Sequence, residues 1–237
     1  MTTLCIIPTY NEKENLERVV RRIRSLELPI QILIVDDNSP DGTGKYADQL
    51  AERDSFLTVI HRQKKEGIGA AYLAGLAYAI EHTDAEYIFE MDADLSHDPG
   101  YIPLFLEKIS DCDVVLGSRF YRGRVSIVNW PLSRLILSYG ARVYVKLFSR
   151  LRLDDPTSGF RCFRRRVVER LLANKICSRE YAFHIEVSYV CSKMGFAITE
   201  VPIVFYERDS GQSKMCTLKT VLEAVLIVWK LKFKTYA

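Results

Sequence analysis

The chain has 237 residues, 48% of them hydrophobic, which suits one large domain or two small ones around a substantial core. Its 33 Lys and Arg barely exceed its 30 Asp and Glu, a bias too small to argue for a nucleic-acid partner. Six cysteines fall without CxxC or Cys–His spacing, so neither a zinc site nor a disulfide framework is expected, and no apolar run reaches the ~20 residues that cross a bilayer.

That cysteine usage makes a reducing cytosol the expected home, and Met1-Thr2-Thr3 lacks the basic start of a signal peptide. Leu4-Cys5-Ile6-Ile7, ended by Pro8, reads as a strand buried on both faces. Asn11 with Glu14 has the pattern of a helix cap, and Leu16, Val19, Val20 and Ile23 form the apolar stripe that follows. Ile30 to Val35 is a second strand, stopped by the loop Asp36-Asp37-Asn38-Ser39-Pro40-Asp41-Gly42-Thr43. Phe56 to His61 suggests a third strand, Gly67-Ile68-Gly69 a hinge or turn, and Ala70 to Glu81 an Ala-rich helix. Ala85 to Phe89 is aromatic and β-branched and runs as a strand into Asp92-Ala93-Asp94. A helix from Pro99 to about Ile109 and a strand from Asp113 to Gly117, ending at Ser118-Arg119, complete this half.

Apolar strands alternating with amphipathic helices predict an α/β domain with a mainly parallel sheet, in which ligands sit at the carboxyl ends of the strands. Tyr10 and Glu12, Asp36 and Asp37, Asp92 and Asp94, and Arg119 occupy those ends and are expected to share one crevice. If the strand continues through them, Asp92 and Asp94 share a face roughly 6 to 7 Å apart. Carboxylates so close trap a cation, and hard oxygen ligands select Mg²⁺ or Mn²⁺, with a diphosphate as the natural third party. The competing reading makes one Asp the cap of the helix opened by Pro99 and leaves the other solvated. With no glycine phosphate loop in the sequence, Arg119, Arg208 and Lys214 are the candidate counter-charges.

Beyond Trp130, Leu132, Leu135, Ile136, Tyr139, Val143 and Leu147 mark the apolar side of a helix. Arg134, Ser138, Arg142 and Lys146 recur every fourth residue beside it, as either a solvated face or a seat for a phosphate. A polar turn, Asp154 to Arg161, leads to a helix from about Arg165 to Asn174, and Phe183-His184-Ile185-Glu186 opens another, read as a structural polar cluster. Phe196 to Tyr206 reads as a strand with Pro202 at an edge or bulge, followed by a charged loop, 207–214, suited to closing over a ligand. Residues 1–216 are expected to form the main domain. The tail, 217–237, is an amphipathic helix that either packs on it or lies among lipid headgroups with Trp229 and its lysines as anchors.

Six motifs carry a resemblance that runs from about Leu4 to Lys214. They are Ile7-Pro8-Thr9-Tyr10-Asn11-Glu12, Val35 to Thr43, Asp92-Ala93-Asp94-Leu95-Ser96-His97, Gly117-Ser118-Arg119-Phe120, Thr157-Ser158-Gly159-Phe160-Arg161 and Arg208 to Lys214. Together the chain resembles inverting family 2 glycosyltransferases, and within them the dolichyl (polyprenyl) phosphate mannose synthases. The resemblance implies a GT-A nucleotide-diphospho-sugar transferase fold, GDP-mannose as donor, a polyprenyl or dolichyl phosphate as acceptor and Mg²⁺ or Mn²⁺ as cofactor. It implies that Pro8, Tyr10, Glu12, Val35 and Asp37 bind the nucleoside, that Asp92, Ala93 and Asp94 bind metal and diphosphate, and that Arg208 and Lys214 grip the donor phosphates. Arg119, Arg134 and Ser138 match positions that hold the acceptor phosphate. Ser96 stands where prokaryotic relatives often carry a metal-ligating Gln, and serine has the shorter reach. The implied location is the cytosolic face of a membrane, attached through the tail, the region from Ile127 to Phe148, or an anchoring subunit. Two alternatives stay open: a polyprenyl phosphate glycosyltransferase that uses another nucleotide sugar such as UDP-glucose, and a non-catalytic nucleotide-sugar-binding subunit.

Overall fold

A computed structural model of the chain describes residues 2–149, 151–206 and 225–231. Its centre is a seven-stranded sheet built from β1 (Thr3–Thr9), β2 (Ile30–Asp36), β3 (Leu57–His61), β4 (Tyr87–Glu90), β5 (Val114–Ser118), β9 (Arg161–Arg164) and β10 (Ile198–Pro202). The strands lie in the order β10-β5-β9-β4-β1-β2-β3. All neighbours pair in parallel except β9, which runs antiparallel to both β4 and β5. β9 was not foreseen: Cys162 and Phe163 give too short an apolar run to separate a strand from the turn before it.

Strand alternation sorts the core into two layers. Cys5 and Ile7 of β1 and Ile32 and Ile34 of β2 face one side, with α1 (Lys13–Arg24) and α4 (Ile102–Lys108). Leu4 and Ile6, with Leu33 and Val35, face the other, with α3 (Ile68–His82), α6 (Arg165–Ala173) and α7 (Ala182–Lys193). On α1 the four stripe residues Leu16, Val19, Val20 and Ile23 are buried as expected, each contributing about 1.5–3 kcal/mol. Leu16→Ala would remove about 2–5 kcal/mol.

Several local readings need correction. Pro8 does not end β1, which continues to Thr9; the pairing with β4 stops at Ile6, so the missing N–H costs no ladder bond on that side. Asn11 does not cap α1 but adopts a left-handed φ of 59°. The N–H groups of Asn11, Glu12 and Lys13 are taken instead by Ser39 Oγ, Thr43 Oγ1 and Asp41 Oδ2, side chains of the loop after β2. That loop also runs directly into a helix absent from the sequence reading, α2 (Thr43–Ala51). The segment read as one strand from Phe196 to Tyr206 divides into β10 and a short β11 (Phe205–Tyr206), with Pro202 closing β10 on the edge of the sheet.

The region after β5 is separate in character. A hairpin joins β6 (Phe120–Tyr121) to β7 (Arg124–Val125), with positive φ at both Arg122 and Gly123 as a two-residue turn requires. β8 (Ile127–Val128) pairs with β11. Next comes α5 (Leu132–Ser149), whose orientation inverts the usual pattern. Its buried residues are Arg142, Val145 and Ser149, while Leu132, Ile136, Tyr139, Val143 and Leu147 are exposed, the first and last by about 70%. A helical stretch at 225–231 packs its Ile227, Val228 and Leu231 with Val145 of α5 and Ala182, Ile185 and Tyr189 of α7. The rest of the predicted tail helix lies outside the described residues. No described helix is long and apolar enough to cross a membrane.

Candidate active site

The carboxyl ends of β1 to β4 open on a cleft of about 690 Å³, counted to its solvent mouth. β1 and the turn into α1 contribute Pro8, Thr9, Tyr10 and Glu12; the loop after β2 contributes Asp37; the turn after β4 contributes Asp92, Ala93 and Asp94. Tyr10, Glu12, Asp37 and the Asp pair, expected to meet, therefore do. Asp37 is paired with Arg62 Nη1 at 2.5 Å, and burial pushes its carboxyl up against that pull. Asp36 and Val35, also expected here, are elsewhere. Asp36 turns inward to accept from Thr9 Oγ1 and Ser39 Oγ, at 3.1 and 2.6 Å. Val35 is fully buried in the layer that packs on α3, because its side chain alternates away from the strand tip.

The aspartates reach the cleft by a different route from the one predicted. β4 ends at Glu90, so strand alternation does not align them. A turn does, with Leu95 at a φ of 62°. Asp94 is buried and accepts from Ser96 N and Ser96 Oγ at 3.0 and 2.6 Å through Oδ1. Ser96 is thus a brace for a carboxylate. Capping of the following helical turn falls to Asp98, which accepts from Gly100 N, so neither cleft aspartate is used as its cap.

Beneath this turn lies a buried polar platform. Glu90 is fully buried, and burial raises its carboxyl to about 8. Arg161, opposite it in the β4–β9 register, donates to the carbonyls of Ser158 and His184, both at 2.7 Å. Burial, followed by the charge of Arg161, holds His184 well below the ordinary histidine range, consistent with its structural reading.

Arg119 does not line the cleft. It is buried on the far side of the turn and held by Asp155, with Nε to Oδ2 at 2.6 Å and Nη2 to Oδ1 at 2.9 Å. Glu200 of β10 fixes that partner by accepting from the backbone N–H of Asp154 and Asp155. The Arg119 guanidinium still feels the charge of Asp92. It also lies 5.9 Å from the Trp130 ring, over which Arg134 stacks at 4.1 Å, so these two predicted residues share one aromatic corner. Ser138, one turn on from Arg134, is half-buried. Arg142 and Lys146, from the same strip, are tied to Asp154 and hold the fold together. Arg208 and Lys214 lie outside the described residues.

Cleft residues that escaped the sequence reading include Lys65, Glu180 and Tyr181, with Ile68 and Ala71 of α3. Lys65 lines the cleft with its ammonium 4.1 Å from the centre of the Tyr10 ring. Glu180 and Tyr181 form the opposite wall, brought there by contact between the Arg179 carbonyl and the N–H of Gly69 at 2.7 Å. A Cβ on Gly67 would stand 2.3 Å from that carbonyl oxygen, and one on Gly69 would stand 2.6 Å from Phe183, so both positions need glycine for close approach. The pair read as a hinge is a docking seat.

The lining thus carries Glu12, Asp37, Asp92, Asp94 and Glu180 against one described cation, Lys65. Such a cleft repels a bare diphosphate. It suits one that arrives with a divalent cation, and Asp92 and Asp94 supply the hard oxygen donors Mg²⁺ or Mn²⁺ takes alongside ligand phosphates. Among the described residues no group of three or more His, Cys, Asp or Glu side chains is arranged to hold a metal by itself, which leaves the remaining positions to the ligand.

Residues 4–172 match glycosyl transferase family 2. The chain is 40% identical to an undecaprenyl-phosphate mannosyltransferase of Micrococcus luteus over 91% of its own length and 88% of the relative's. It is 42% identical to a polyprenol monophosphomannose synthase of Mycolicibacterium smegmatis over 90% and 80% of the two chains. Among solved structures, its fold is shared with glucosyl-3-phosphoglycerate synthase from Mycobacterium tuberculosis in complex with Mn²⁺, UDP and phosphoglyceric acid. The TM-score is 0.69 at 19% identity, covering 96% of this chain and 77% of that one. A mannosyltransferase from Pyrobaculum calidifontis in complex with GDP-Man and Mn²⁺ gives 0.58 at 19% identity, covering 89% and 58%.

Proposed function

Because the chain belongs to glycosyl transferase family 2, we propose that it moves mannose from GDP-mannose to the phosphate of a polyprenyl or dolichyl phosphate, with inversion at the anomeric carbon. Its fold is the GT-A arrangement, a mostly parallel sheet flanked by helices. Two relatives at 40% and 42% identity, named undecaprenyl-phosphate mannosyltransferase and polyprenol monophosphomannose synthase, support mannose as the sugar and a polyprenyl lipid as the acceptor. The observation that carries the reading is the cleft itself, where the carboxylate pair after β4 shares one opening with Tyr10, Glu12 and Asp37.

Each side chain then has a task. Tyr10, Glu12 and Asp37 receive the nucleoside together with Pro8. Asp92 and Asp94 hold Mg²⁺ or Mn²⁺, which when bound neutralises the departing diphosphate. Arg208 and Lys214 would complete that neutralisation. On the other side Arg134 and Ser138 receive the acceptor phosphate, with the buried Arg119 adding its charge beside the shared Trp130, offsetting repulsion between two anions and aligning them for in-line attack. A phosphate monoester with a second pKa of roughly 6 is already mostly a dianion at neutral pH. No general base is needed, and the described cleft lining includes no histidine.

The inverted helix fits a lipid acceptor. α5 runs about 27 Å, with Leu132, Ile136, Tyr139, Val143 and Leu147 outward, and Phe148 lies 6.0 Å from Trp229, itself half-exposed. This face is proposed to lie in the headgroup region on the cytosolic side of a membrane, alone or beside an anchoring subunit, with Arg134 and Ser138 on the protein side.

Incubation of the purified chain with labelled GDP-mannose, Mg²⁺ or Mn²⁺ and a short polyprenyl phosphate tests the assignment. The expected product is the β-linked mannosyl phospholipid; an α-linked product overturns inversion, and transfer from UDP-glucose in preference to GDP-mannose overturns the donor.

A further inference from the structure

Tyr72 lies on the first turns of α3 and is fully buried in the layer between the sheet and α7. Its ring stacks on Phe183 with centroids 6.0 Å apart and 9° between planes, and meets His184 edge-on at 5.8 Å. A buried tyrosine hydroxyl needs a partner. Here that partner is a cleft carboxylate: Tyr72 Oη donates to Asp92 Oδ1 at 2.9 Å. On the other side of the same residue the backbone N–H of Asp92 donates to His97 Nδ1 at 3.1 Å. The His97 ring is in turn stacked 5.3 Å from Phe160 and set edge-on to Phe205 at 5.7 Å. Asp92 is therefore fixed at its backbone by one packed ring and at one carboxylate oxygen by another.

We infer that Tyr72 is a positioning residue for the divalent cation: its hydroxyl engages Oδ1 of Asp92 and so presents Oδ2 as the oxygen the metal takes. This rests on the cation reading of the cleft given above. Outer-shell donors of this kind orient the ligand and hold its charge where the metal needs it, and their removal costs roughly 10- to 100-fold in metal affinity. No local pattern points to it, since Tyr72 sits inside an Ala-rich helix twenty residues before the aspartate.

The test is direct Mn²⁺ binding in the presence of GDP, followed by the electron paramagnetic resonance signal of free Mn²⁺, for the wild-type chain, Tyr72→Phe and Leu76→Val. Leu76 is buried one turn further along the same helix, so its variant loosens the layer and leaves the hydroxyl in place. The expected result is Mn²⁺ binding about tenfold weaker in Y72F, unchanged in L76V, with both variants melting cooperatively without metal. Equal Mn²⁺ affinity in Y72F and wild type overturns the inference while leaving the cation site standing. Equal weakening in L76V also overturns it, because general loosening would then suffice, as does loss of cooperative melting in Y72F. A wild-type chain that takes up no Mn²⁺ removes the cation reading itself, and this inference with it.

Discussion

The cleft at the tips of β1 to β4 and the helix α5 use the same vocabulary of residues in opposite senses. At the strand tips polar side chains face an opening and apolar ones fill the layers behind, as water outside and hydrocarbon inside require. On α5 the apolar residues Leu132, Ile136 and Leu147 face out while Arg142 is buried against Asp154. The difference teaches that an amphipathic stripe states which residues lie together and not which side is the interior. That second fact depends on what the exterior is made of.

Experiments that break this comparison start with the cleft. Asp94→Ala should lower turnover about 10²- to 10³-fold with little change in the melting curve; wild-type rates in a transfer assay would remove the carboxylate pair from the chemistry. Next comes the buried Arg119–Asp155 pair, beside the proposed acceptor side. Burial tends to raise Asp155, but the charge and hydrogen bonds of Arg119 outweigh it and hold the carboxyl below its usual range. A native value below the unfolded one means that this stability is full above the ordinary carboxylate range and is lost as pH falls through the native value. Asp155→Asn should cost about 3–5 kcal/mol near neutrality by leaving a buried guanidinium uncompensated, with a shallower loss on acidification, as urea titrations at several pH values would show.

The two faces of α5 offer a sharper contrast. Val145→Ala, on the inner face, should cost about 2 kcal/mol, whereas Leu132→Glu with Ile136→Glu should change stability by less than about 0.5 kcal/mol per site. The same double variant should lose binding to anionic phospholipid vesicles in a flotation assay. Equal flotation with wild type would deny the outer face its lipid. The smallest effect is expected at Lys65: Lys65→Gln should weaken GDP binding by a few-fold, on the order of 0.5–1 kcal/mol for an exposed cation–π contact, and calorimetry would measure it.

Much of this was open to reading because it is local. The α1 stripe and the runs of β1 and β2 are set by residues within a few positions of each other, and so are the motifs at the strand tips. What escaped depends on distant partners. α1 has no cap of its own because Ser39, Asp41 and Thr43 supply it from the next strand's end. Lys65, Glu180 and Tyr181 belong to the cleft only because α3 and the segment before α7 meet at Gly67 and Gly69. The basic strip is divided by nearer partners that its own repeat does not name: Asp154 claims Arg142 and Lys146, and Trp130 claims Arg134.

The borrowed cap on α1 ties the closure of a helix to the shape of the cleft. In the loop at 39–43, Ser39, Asp41 and Thr43 hold the backbone of residues 11–13, so the start of the first helix and the proposed nucleoside end of the crevice share one set of hydrogen bonds. A lesion in that loop should therefore be felt twice, as a frayed helix and as a weakened grip on the nucleotide. Ligand added during refolding should rescue both together.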